Sequence, residues 1–488
     1  MSERTEGLLD ASPKKNADGF PDDFLWGAAI SAKQAEGAEG RGPTVADLQD
    51  FSPDDKSKVK GDYTSDEIRD RIQHPEDYWF PKRLGIEFYK RYGEDLALMH
   101  ELGLKCFRFS MSWARIFPNG DDERPSEVGL SYYDAVVNLL RSYGMEPIVT
   151  LYHDDMPLDM ALKYNGFLSP HVQDAYLRYA KVILDRFSDR VHYWIPFNQM
   201  NLTRVGLSSI GIVCDNVEGL NEKKYQGVHE KIVMCAKVAQ YGRRVNSRNR
   251  FGAMLADFLV NPMTCKPEDV LMATEKNQMT MYLYADTQLR GEYPGYALSY
   301  FKREGFDIRV KASDLDTIKD NRMDFLAISY YNSNVVSAEK NSMAIGDAEM
   351  NPYLKATPWG WTVNPSGLLD CSLKYWDRYQ VPLMIAENGI GQVETLGRDG
   401  TVHDDYRISY LGDHLRALRE AIRRGVDLFA YCAWSPIDMV SSGTSEMRKR
   451  YGLVYNDQDD FGGGTHKRYP KDSFYWYQKV IRSNGACL

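Results

Sequence analysis

Short apolar runs alternate with amphipathic stretches along most of the chain. Apolar residues recur three and four positions apart, as in helices, at 86–103, 175–190, 225–245 and 406–425. Eight apolar runs of strand length lie at 24–31, 105–112, 146–153, 192–198, 250–256, 324–331, 382–389 and 427–435. Apolar strands separated by helices are typical of parallel sheets covered on both faces. The pattern predicts an α/β protein, either a closed barrel or a doubly wound open sheet.

No linker divides the chain into domains. Eight strands, each followed by helical or loop material, favour a closed (β/α)8 barrel, the TIM barrel, over the open sheet. Extra length falls in the segments 37–85, 332–366 and 436–470, which predicts long loops over one face of the barrel. We expect a flexible N-terminal segment, 1–19, followed by a single barrel domain over 20–488.

The net charge and the distribution of cysteines indicate which partners and which compartment to expect. The formal net charge is −9 and no lysine- or arginine-rich tract is present, so we expect neither nucleic acid nor membrane as a partner. The seven cysteines are scattered without a CxxC pair, which indicates free thiols in a reducing compartment. The polar N-terminal stretch lacks the apolar core of a signal peptide, and no apolar run reaches the ~18 residues of a membrane span. We expect a soluble, cytoplasmic protein.

Polar residues stand where the predicted strands end. They belong to six strands and comprise Arg108, His153, Asp154, Asn198, Gln199, Ser329, Tyr331, Glu387, Asn388 and Trp434. One such residue alone would more often be a structural group with its hydrogen bonds satisfied. Six strands together favour a shared cleft, because the carboxyl ends of barrel strands meet at the face that carries active sites.

Within this set, Glu387 is the candidate for a charged catalytic group. Its neighbours in LMIAENGI are apolar, and an unpaired carboxylate among them would be costly. A structural ion pair with Arg108 is the alternative interpretation. The nine histidines form no HExxH motif and no cluster with cysteine, and GxSxG is absent. We therefore expect no metal, no cofactor and no serine nucleophile.

A second candidate site follows the last strand, in SSGTSEMRKRYG at 441–452. It offers the hydroxyls of Ser441 and Ser442, the ammonium of Lys449 and the phenol of Tyr451. These groups would suit a phosphate if they converge on one point. A solvated loop would have a similar composition, so the residues alone leave both interpretations open.

Longer motifs occur in one order along the chain: FPDDFLWGAAISAKQAEGA, FRFSMSWARIFP, PIVTLYHDDMP, YWIPFNQMN, MIAENGI and WSPIDMVSSGTSEMRKRYGLVYND. With them the chain resembles glycoside hydrolase family 1, a family of retaining β-glycosidases on a (β/α)8 barrel, and in particular its 6-phospho-β-glucosidase branch. Other members carry a Glu-Trp pair where this chain has Ser442 and Gly443, and a carboxylate there would repel a phosphate dianion. The phospho-galactosidase branch usually keeps the tryptophan, so Gly443 favours the gluco configuration.

The resemblance implies a role for each candidate residue. Glu387 would be the nucleophile that forms a glycosyl-enzyme, and Arg108 and Tyr331 would flank it and hold it ionised. Asn198 would bind the 2-hydroxyl of the sugar, a contact that strengthens in the transition state. The other sugar contacts would be Gln34, His153, Trp361 and Trp434, and the phosphate contacts Ser441, Ser442, Lys449 and Tyr451. Which serine binds the phosphate is left open.

Gln199 departs from the family, which has a glutamate there as general acid/base. An amide can neither protonate the leaving oxygen nor activate water. We favour an engineered Glu→Gln change, because every other site residue is present. The alternative is a natural departure that leaves a slow, specialised or non-catalytic sugar binder.

These residues together predict a retaining 6-phospho-β-glucosidase that is impaired at Gln199. It would hydrolyse O6-phosphorylated β-glucosides, its small-molecule partners, to glucose 6-phosphate and an aglycone. The alternatives are a 6-phospho-β-galactosidase or dual-specificity enzyme, and a non-catalytic phosphosugar-binding protein. The sequence leaves the oligomeric state open, and a homo-oligomer is compatible with it. In a retaining site the two catalytic groups lie about 5–5.5 Å apart.

Overall fold

Eight parallel strands close into a barrel. The computed structural model describes residues 19–53, 60–202, 205–344 and 346–488. The barrel strands are β1 Leu25–Ala29, β2 Cys106–Ser110, β3 Glu146–Thr150, β4 Tyr193–Ile195, β5 Arg250–Ala256, β6 Phe325–Tyr330, β7 Leu383–Asn388 and β8 Leu428–Trp434. Each strand pairs with the next one along the chain, and β1 closes the barrel by pairing with β8. The (β/α)8 prediction is confirmed, and the open sheet is excluded.

A helix of eight or more residues follows each barrel strand. These helices are α1 Phe88–Leu102, α2 Glu127–Ser142, α3 Pro170–Phe187, α4 Leu220–Val245, α5 Leu283–Arg290, α6 Pro365–Tyr379, α7 Asp405–Arg423 and α8 Asp472–Arg482. Additional α-helices are Ala32–Ala35, Ser65–Gln73, Pro81–Leu84, Trp113–Ile116, Leu158–Tyr164, Gly206–Ile210, Pro267–Asn277, Gly295–Glu304 and Ala312–Asp320. Within the described ranges, none of the helices combines the length and the apolar character needed to cross a membrane.

Local sequence sets where some of the helices begin. Ser126 and Asn364 each precede a helix, α2 and α6, and their side chains accept hydrogen bonds from the backbone N–H groups of Gly129 and Gly367. Pro365 opens α6, at a position where its missing N–H would have had no partner within the helix. These caps satisfy polar groups at the helix ends, so the preceding loops end at defined positions.

The barrel strands are mostly apolar because both of their faces are buried, one inside the barrel and one under the helices, and most of their buried polar residues lie towards the carboxyl ends. Gly27 in β1 shows how closely neighbouring strands pack. A Cβ atom at this position would lie 2.3 Å from the Sγ atom of Cys106 in β2. Only glycine therefore fits at Gly27 without a shift of the neighbouring strand.

Long connections follow β1, β6 and β8, as the extra sequence length predicted, and leave the carboxyl ends of these strands. A three-stranded sheet joins Val260–Pro262, Asn334–Val336 and Glu349–Met350, and a two-stranded antiparallel sheet joins Val454–Asn456 and Arg468–Pro470. Apart from Gly19, the predicted flexible segment 1–19 lies outside the described residues. The division into that segment and one domain over 20–488 stays a prediction.

Candidate active site

Glu387 lies near the carboxyl end of β7, where the strand is irregular. The register against β6 shifts between Ile385 and Glu387, so that Glu387 pairs with Ser329. A bulge of this kind re-aims a side chain relative to regular strand alternation. Glu387 is 2% exposed, and its carboxylate accepts hydrogen bonds from Arg108 Nη1 at 2.7 Å and from the Tyr331 hydroxyl at 2.8 Å. The carboxylate is thus held from two sides and its charge is compensated.

Arg108 in β2 links Glu387 to two further strand ends. Its Nη2 atom donates to Asn198 Oδ1 at 2.8 Å, and its Nε atom donates to Thr150 Oγ1 at 3.1 Å. A fully buried guanidinium requires such acceptors, because its donors have no water to bind. The ion pair that the sequence offered as an alternative does exist, and it lies among the other predicted site residues.

Gln199 follows β4 in a left-handed backbone conformation, with a φ angle of 36°. The backbone N–H groups of its two neighbours donate hydrogen bonds to two different parts of the barrel. The Asn198 N–H donates to the Tyr152 carbonyl at 2.8 Å, and the Met200 N–H donates to the Met254 carbonyl at 2.9 Å. The backbone around Gln199 is therefore tied to the segment after β3 on one side and to strand β5 on the other. A strained conformation held by its surroundings is typical of functional positions.

The side chain of Gln199 faces Glu387. Its Nε2 atom donates to the Ser329 hydroxyl at 2.9 Å and lies 3.5 Å from Glu387 Oε2. The 3.5 Å separates the nearest atoms, whereas the spacing of about 5–5.5 Å in a retaining site refers to whole carboxyl groups. An amide N–H can approach a carboxylate as a donor, whereas a second carboxylate would be repelled.

Gln34 joins the segment that follows β1 to the segment that follows β8. Its Nε2 atom donates to the Val440 carbonyl at 2.7 Å, and its Oε1 atom accepts from the Ser31 hydroxyl at 2.7 Å. Val440 directly precedes the segment 441–451, which we call the phosphate loop after its predicted ligand. Gln34, a predicted sugar contact, is therefore hydrogen-bonded to the residue just before the predicted phosphate contacts.

His153 lies beside Trp434, with the ring centroids 6.0 Å apart and the planes 27° from parallel. Burial, followed by the positive charges of Lys33 and Arg108, holds the pKa of His153 well below its usual range, so the ring is neutral at neutral pH. Among the described residues, no group forms a hydrogen bond with the buried His153 Nδ1 atom. A sugar hydroxyl could supply that bond.

Lys449 of the phosphate loop connects to Glu387 through aromatic side chains. Its Nζ atom lies 4.1 Å from the ring centroid of Trp361 and 5.0 Å from that of Trp359. The Trp361 ring lies 5.1 Å from the Tyr331 ring, and Tyr331 binds Glu387. The structure therefore brings the loop after β6 and the loop after β8 together at one side of Glu387.

The other predicted phosphate contacts share this region. The Tyr451 ring lies 6.3 Å from the Trp361 ring. Ser441 and Ser442 lie at the start of the same loop, where the Ser441 N–H donates to the Glu446 carbonyl at 2.8 Å. Ser441 is buried and Ser442 is partly exposed. The structure thus brings Lys449 and Tyr451 together beside Trp361. The two serines share the loop with them, and the convergence of all four on one point stays a prediction.

Two buried lysines at this face were missed by the sequence analysis. The Lys33 Nζ atom, next in sequence to Gln34, lies 3.5 Å from Asp154 Oδ2, and the Lys82 Nζ atom donates to the Ser442 carbonyl at 2.9 Å. A lysine directly before the predicted site residue Gln34, in the alanine-rich AISAKQAEGA, was a signal for the first. Lys82 gave none, because it lies in a long loop with no periodicity.

The chemical groups at this face are those of carboxylate catalysis. Glu387 offers a fixed, compensated carboxylate, and Gln199 offers a hydrogen-bond donor without a titratable proton. Across the described ranges, no group of three or more His, Cys, Asp or Glu side chains is arranged to hold a metal ion. That the chemistry needs no metal or cofactor stays a prediction.

Known proteins resemble this chain over nearly its whole length. The sequence profile of glycosyl hydrolase family 1 matches residues 16–486. An aryl-phospho-β-D-glucosidase of Bacillus subtilis and a 6-phospho-β-glucosidase of Escherichia coli are each 40% identical, over 96% of this chain and 99% of the relative. The solved structure of a family 1 β-glucosidase from Thermotoga maritima matches with a TM-score of 0.80 at 28% identity, over 96% of this chain and 99% of that chain.

Proposed function

This chain belongs to glycosyl hydrolase family 1, and we propose that it is built as a retaining 6-phospho-β-glucosidase with Gln199 at the acid/base position. The substrates are β-glucosides phosphorylated at O6, and the products are glucose 6-phosphate and an aglycone. The observation that carries the proposal is the buried Glu387 carboxylate, bound by Arg108 and Tyr331 and faced by Gln199.

In the proposed mechanism Glu387 attacks the anomeric carbon and forms a covalent glycosyl-enzyme. Arg108 and Tyr331 orient the carboxylate, so little reorganisation is needed before the attack. Arg108 also occupies the Oδ1 atom of Asn198. The Nδ2 atom of Asn198 is then the group that donates to the sugar 2-hydroxyl as positive charge develops on the ring.

Gln199 limits both chemical steps. In the first step the leaving oxygen normally takes a proton from the acid/base residue, and in the second step the same residue activates water. An amide performs neither transfer. The chain as it stands therefore forms the glycosyl-enzyme only with leaving groups that depart as stable anions, and releases it slowly.

The phosphate loop is proposed to select the phosphorylated sugar. Lys449 supplies the positive charge, and Ser441, Ser442 and Tyr451 supply hydroxyl groups. Support comes from the 40% identity to relatives named as phospho-glucosidases. A 6-phospho-β-galactosidase or a dual-specificity enzyme remains the alternative, and Gly443 favours glucose.

A comparison of substrates tests this proposal on the Gln199→Glu variant. We expect hydrolysis of 4-nitrophenyl β-D-glucoside 6-phosphate, little hydrolysis of the unphosphorylated glucoside and weaker hydrolysis of the galactoside 6-phosphate. Faster hydrolysis of the unphosphorylated glucoside would contradict the phosphate specificity. A preference for the galactoside 6-phosphate would instead identify the chain as a 6-phospho-β-galactosidase.

A non-catalytic phosphosugar-binding protein is the second candidate, and Gln199 is the observation that favours it. The same assay separates the two functions. If the Gln199→Glu variant hydrolyses no phosphorylated β-glycoside while the unaltered chain binds glucose 6-phosphate, the binding protein is the correct assignment. We also propose a cytoplasmic location, which the seven free cysteines support.

A further inference from the structure

Lys82 is a buried cation that the proposed mechanism does not use. It lies in the short helix Pro81–Leu84, within the long connection after β1, and its side chain is fully buried. Its Nζ atom donates to the Ser442 carbonyl at 2.9 Å and to the Gln49 side-chain carbonyl. Lys82 therefore lies directly beneath the phosphate loop.

Gln49 provides a second contact between the connection after β1 and the phosphate loop. The Gln49 Nε2 atom donates to the Ser208 hydroxyl at 2.9 Å, and the Gln49 backbone carbonyl lies 3.4 Å from the Ser445 hydroxyl. Lys82 and Gln49 thus touch the loop at two positions, Ser442 and Ser445. The shape of the loop depends on this support from the connection after β1.

The surroundings of Lys82 hold charges of both signs. The charged groups that act on it are the cation Lys33 and the carboxylates Asp47, Asp50 and Asp154. Asp47 is engaged by Arg41 at 2.7 Å, and Asp154 lies 3.5 Å from Lys33. Asp50 in turn is paired with Arg71 at 3.0 Å. All three carboxylates therefore already face another cation, and the charge of Lys82 is only partly compensated by the protein.

Burial, followed by the charge of Lys33, holds the pKa of Lys82 well below its usual range. In the absence of a ligand, Lys82 is therefore more readily neutral than an ordinary lysine. A nearby anion would favour the charged form and raise this pKa. The phosphate dianion of a substrate in the loop is such an anion.

We propose that Lys82 is a positioning residue for the substrate phosphate: it fixes the phosphate loop through the Ser442 carbonyl and becomes protonated when the phosphorylated sugar binds. The proposal rests on the proposed function, since it needs the phosphate to occupy this loop. It deepens that function because it makes recognition of the phosphate pH-dependent. Lys82 would gain its charge together with the ligand.

Isothermal titration calorimetry on the unaltered chain tests the proposal, with probes that carry no aglycone and are therefore not hydrolysed during the measurement. Glucose 6-phosphate and glucose serve as probes at about pH 8.5, where the sugar phosphate is a dianion. Titrations in two buffers with different ionisation enthalpies count the protons. We expect uptake of up to one proton with glucose 6-phosphate and none with glucose.

Two substitutions separate charge from structure. Lys82→Met is expected to weaken glucose 6-phosphate binding about tenfold, to abolish the proton uptake and to leave glucose binding unchanged. Lys82→Arg is expected to retain the affinity but to show no proton uptake, because a guanidinium stays protonated. Without ligand, Lys82→Met should melt lower than the unaltered chain, because it leaves the Ser442 and Gln49 carbonyls without their donor; the ratio of the two affinities separates this effect from the loss of charge.

Lys276→Met is the matched control. Lys276 is also buried and also donates to backbone carbonyls of a loop, those of Ser342 and Ala344, in the connection after β6. Its substitution should change neither the affinity ratio of the two probes nor the proton count.

Two results would overturn the assignment of Lys82. One is binding of glucose 6-phosphate without proton uptake. The other is a Lys82→Met variant that keeps its preference for glucose 6-phosphate over glucose. An unaltered chain that binds glucose 6-phosphate no better than glucose would instead overturn the proposed function, and the role of Lys82 with it.

Discussion

Replacement of Gln199 by glutamate tests the proposed chemistry most directly. The new carboxyl group would lie beside the Ser329 hydroxyl, which is 2.9 Å from Gln199 Nε2, and would face Glu387. It restores a proton donor for the first step and a base for the second. One acid–base step usually contributes a factor of about 10²–10⁴, so we expect hydrolysis of an ordinary aryl glucoside 6-phosphate to rise by at least about 10³-fold.

The surroundings of position 199 also predict the pH profile of that variant. Two carboxylates about 5 Å apart repel each other by about 3 kcal/mol at an effective dielectric constant of about 20. Arg108 and Tyr331 stabilise the charge of Glu387, so the repulsion acts mainly on the new glutamate. Its pKa should rise by about two units, to between roughly 6 and 7. The rate should then fall on the alkaline side as this proton is lost.

The assay is the release of nitrophenol from 4-nitrophenyl β-D-glucoside 6-phosphate between pH 5 and 9. Gln240→Glu on the exposed surface of α4 introduces the same chemical change away from the site and should leave the rate unchanged. Two outcomes would refute the reasoning. One is a Gln199→Glu variant no faster than the unaltered chain, and the other is a gain in rate without an alkaline limb.

Three further outcomes are expected. Azide should accelerate turnover of a 2,4-dinitrophenyl glucoside 6-phosphate by the unaltered chain, because it attacks the glycosyl-enzyme without a base, and no acceleration would speak against Gln199 as the missing acid/base. Lys449→Met should raise KM for phosphorylated substrate by about 10–10²-fold in the Gln199→Glu background, since a charge-assisted hydrogen bond contributes about 1.5–3 kcal/mol, while an equal rise for the unphosphorylated glucoside would refute a phosphate contact. Burial lowers the pKa of His414 to about 4. As the pH falls from about 6.5 to 4, this histidine is protonated in the unfolded chain but neutral in the folded chain, which lowers the free energy of unfolding. Urea titrations should therefore show about 3 kcal/mol of stability lost over that window, and His414→Gln should remove this part of the loss.

The barrel could be predicted from the sequence, but the ends of its strands could not. The run 192–198 became the three-residue strand Tyr193–Ile195. Pro196 has no N–H to donate, and Gln199 adopts a left-handed conformation. Apolar character continues past the point where regular pairing stops, so it marks the presence of a strand better than its end.

The residues of the candidate site could be proposed from the sequence, but most of their contacts could not. Polar residues at strand ends indicated one face, and the family resemblance added Gln34, Trp361 and the phosphate loop. The contact between Lys449 and Trp361 joins two separate loops and has no local signature. The support of Ser442 by Lys82 joins residues 360 positions apart. Long loops carry no periodicity from which such an approach could be inferred.

The sequence by itself indicated eight apolar strands alternating with helices, because strands buried on both faces are largely apolar, whereas the pairing of β1 with β8 showed that the barrel is closed. It also determined that position 199 carries an amide, which has no proton to exchange at any ordinary pH. Only the tertiary structure decided how Glu387 is compensated, since Arg108 lies 279 positions away and reaches it at 2.7 Å. Only the fold placed a buried lysine beneath the phosphate loop. Electrostatic energies depend on distance and burial, and spacing along the chain fixes neither.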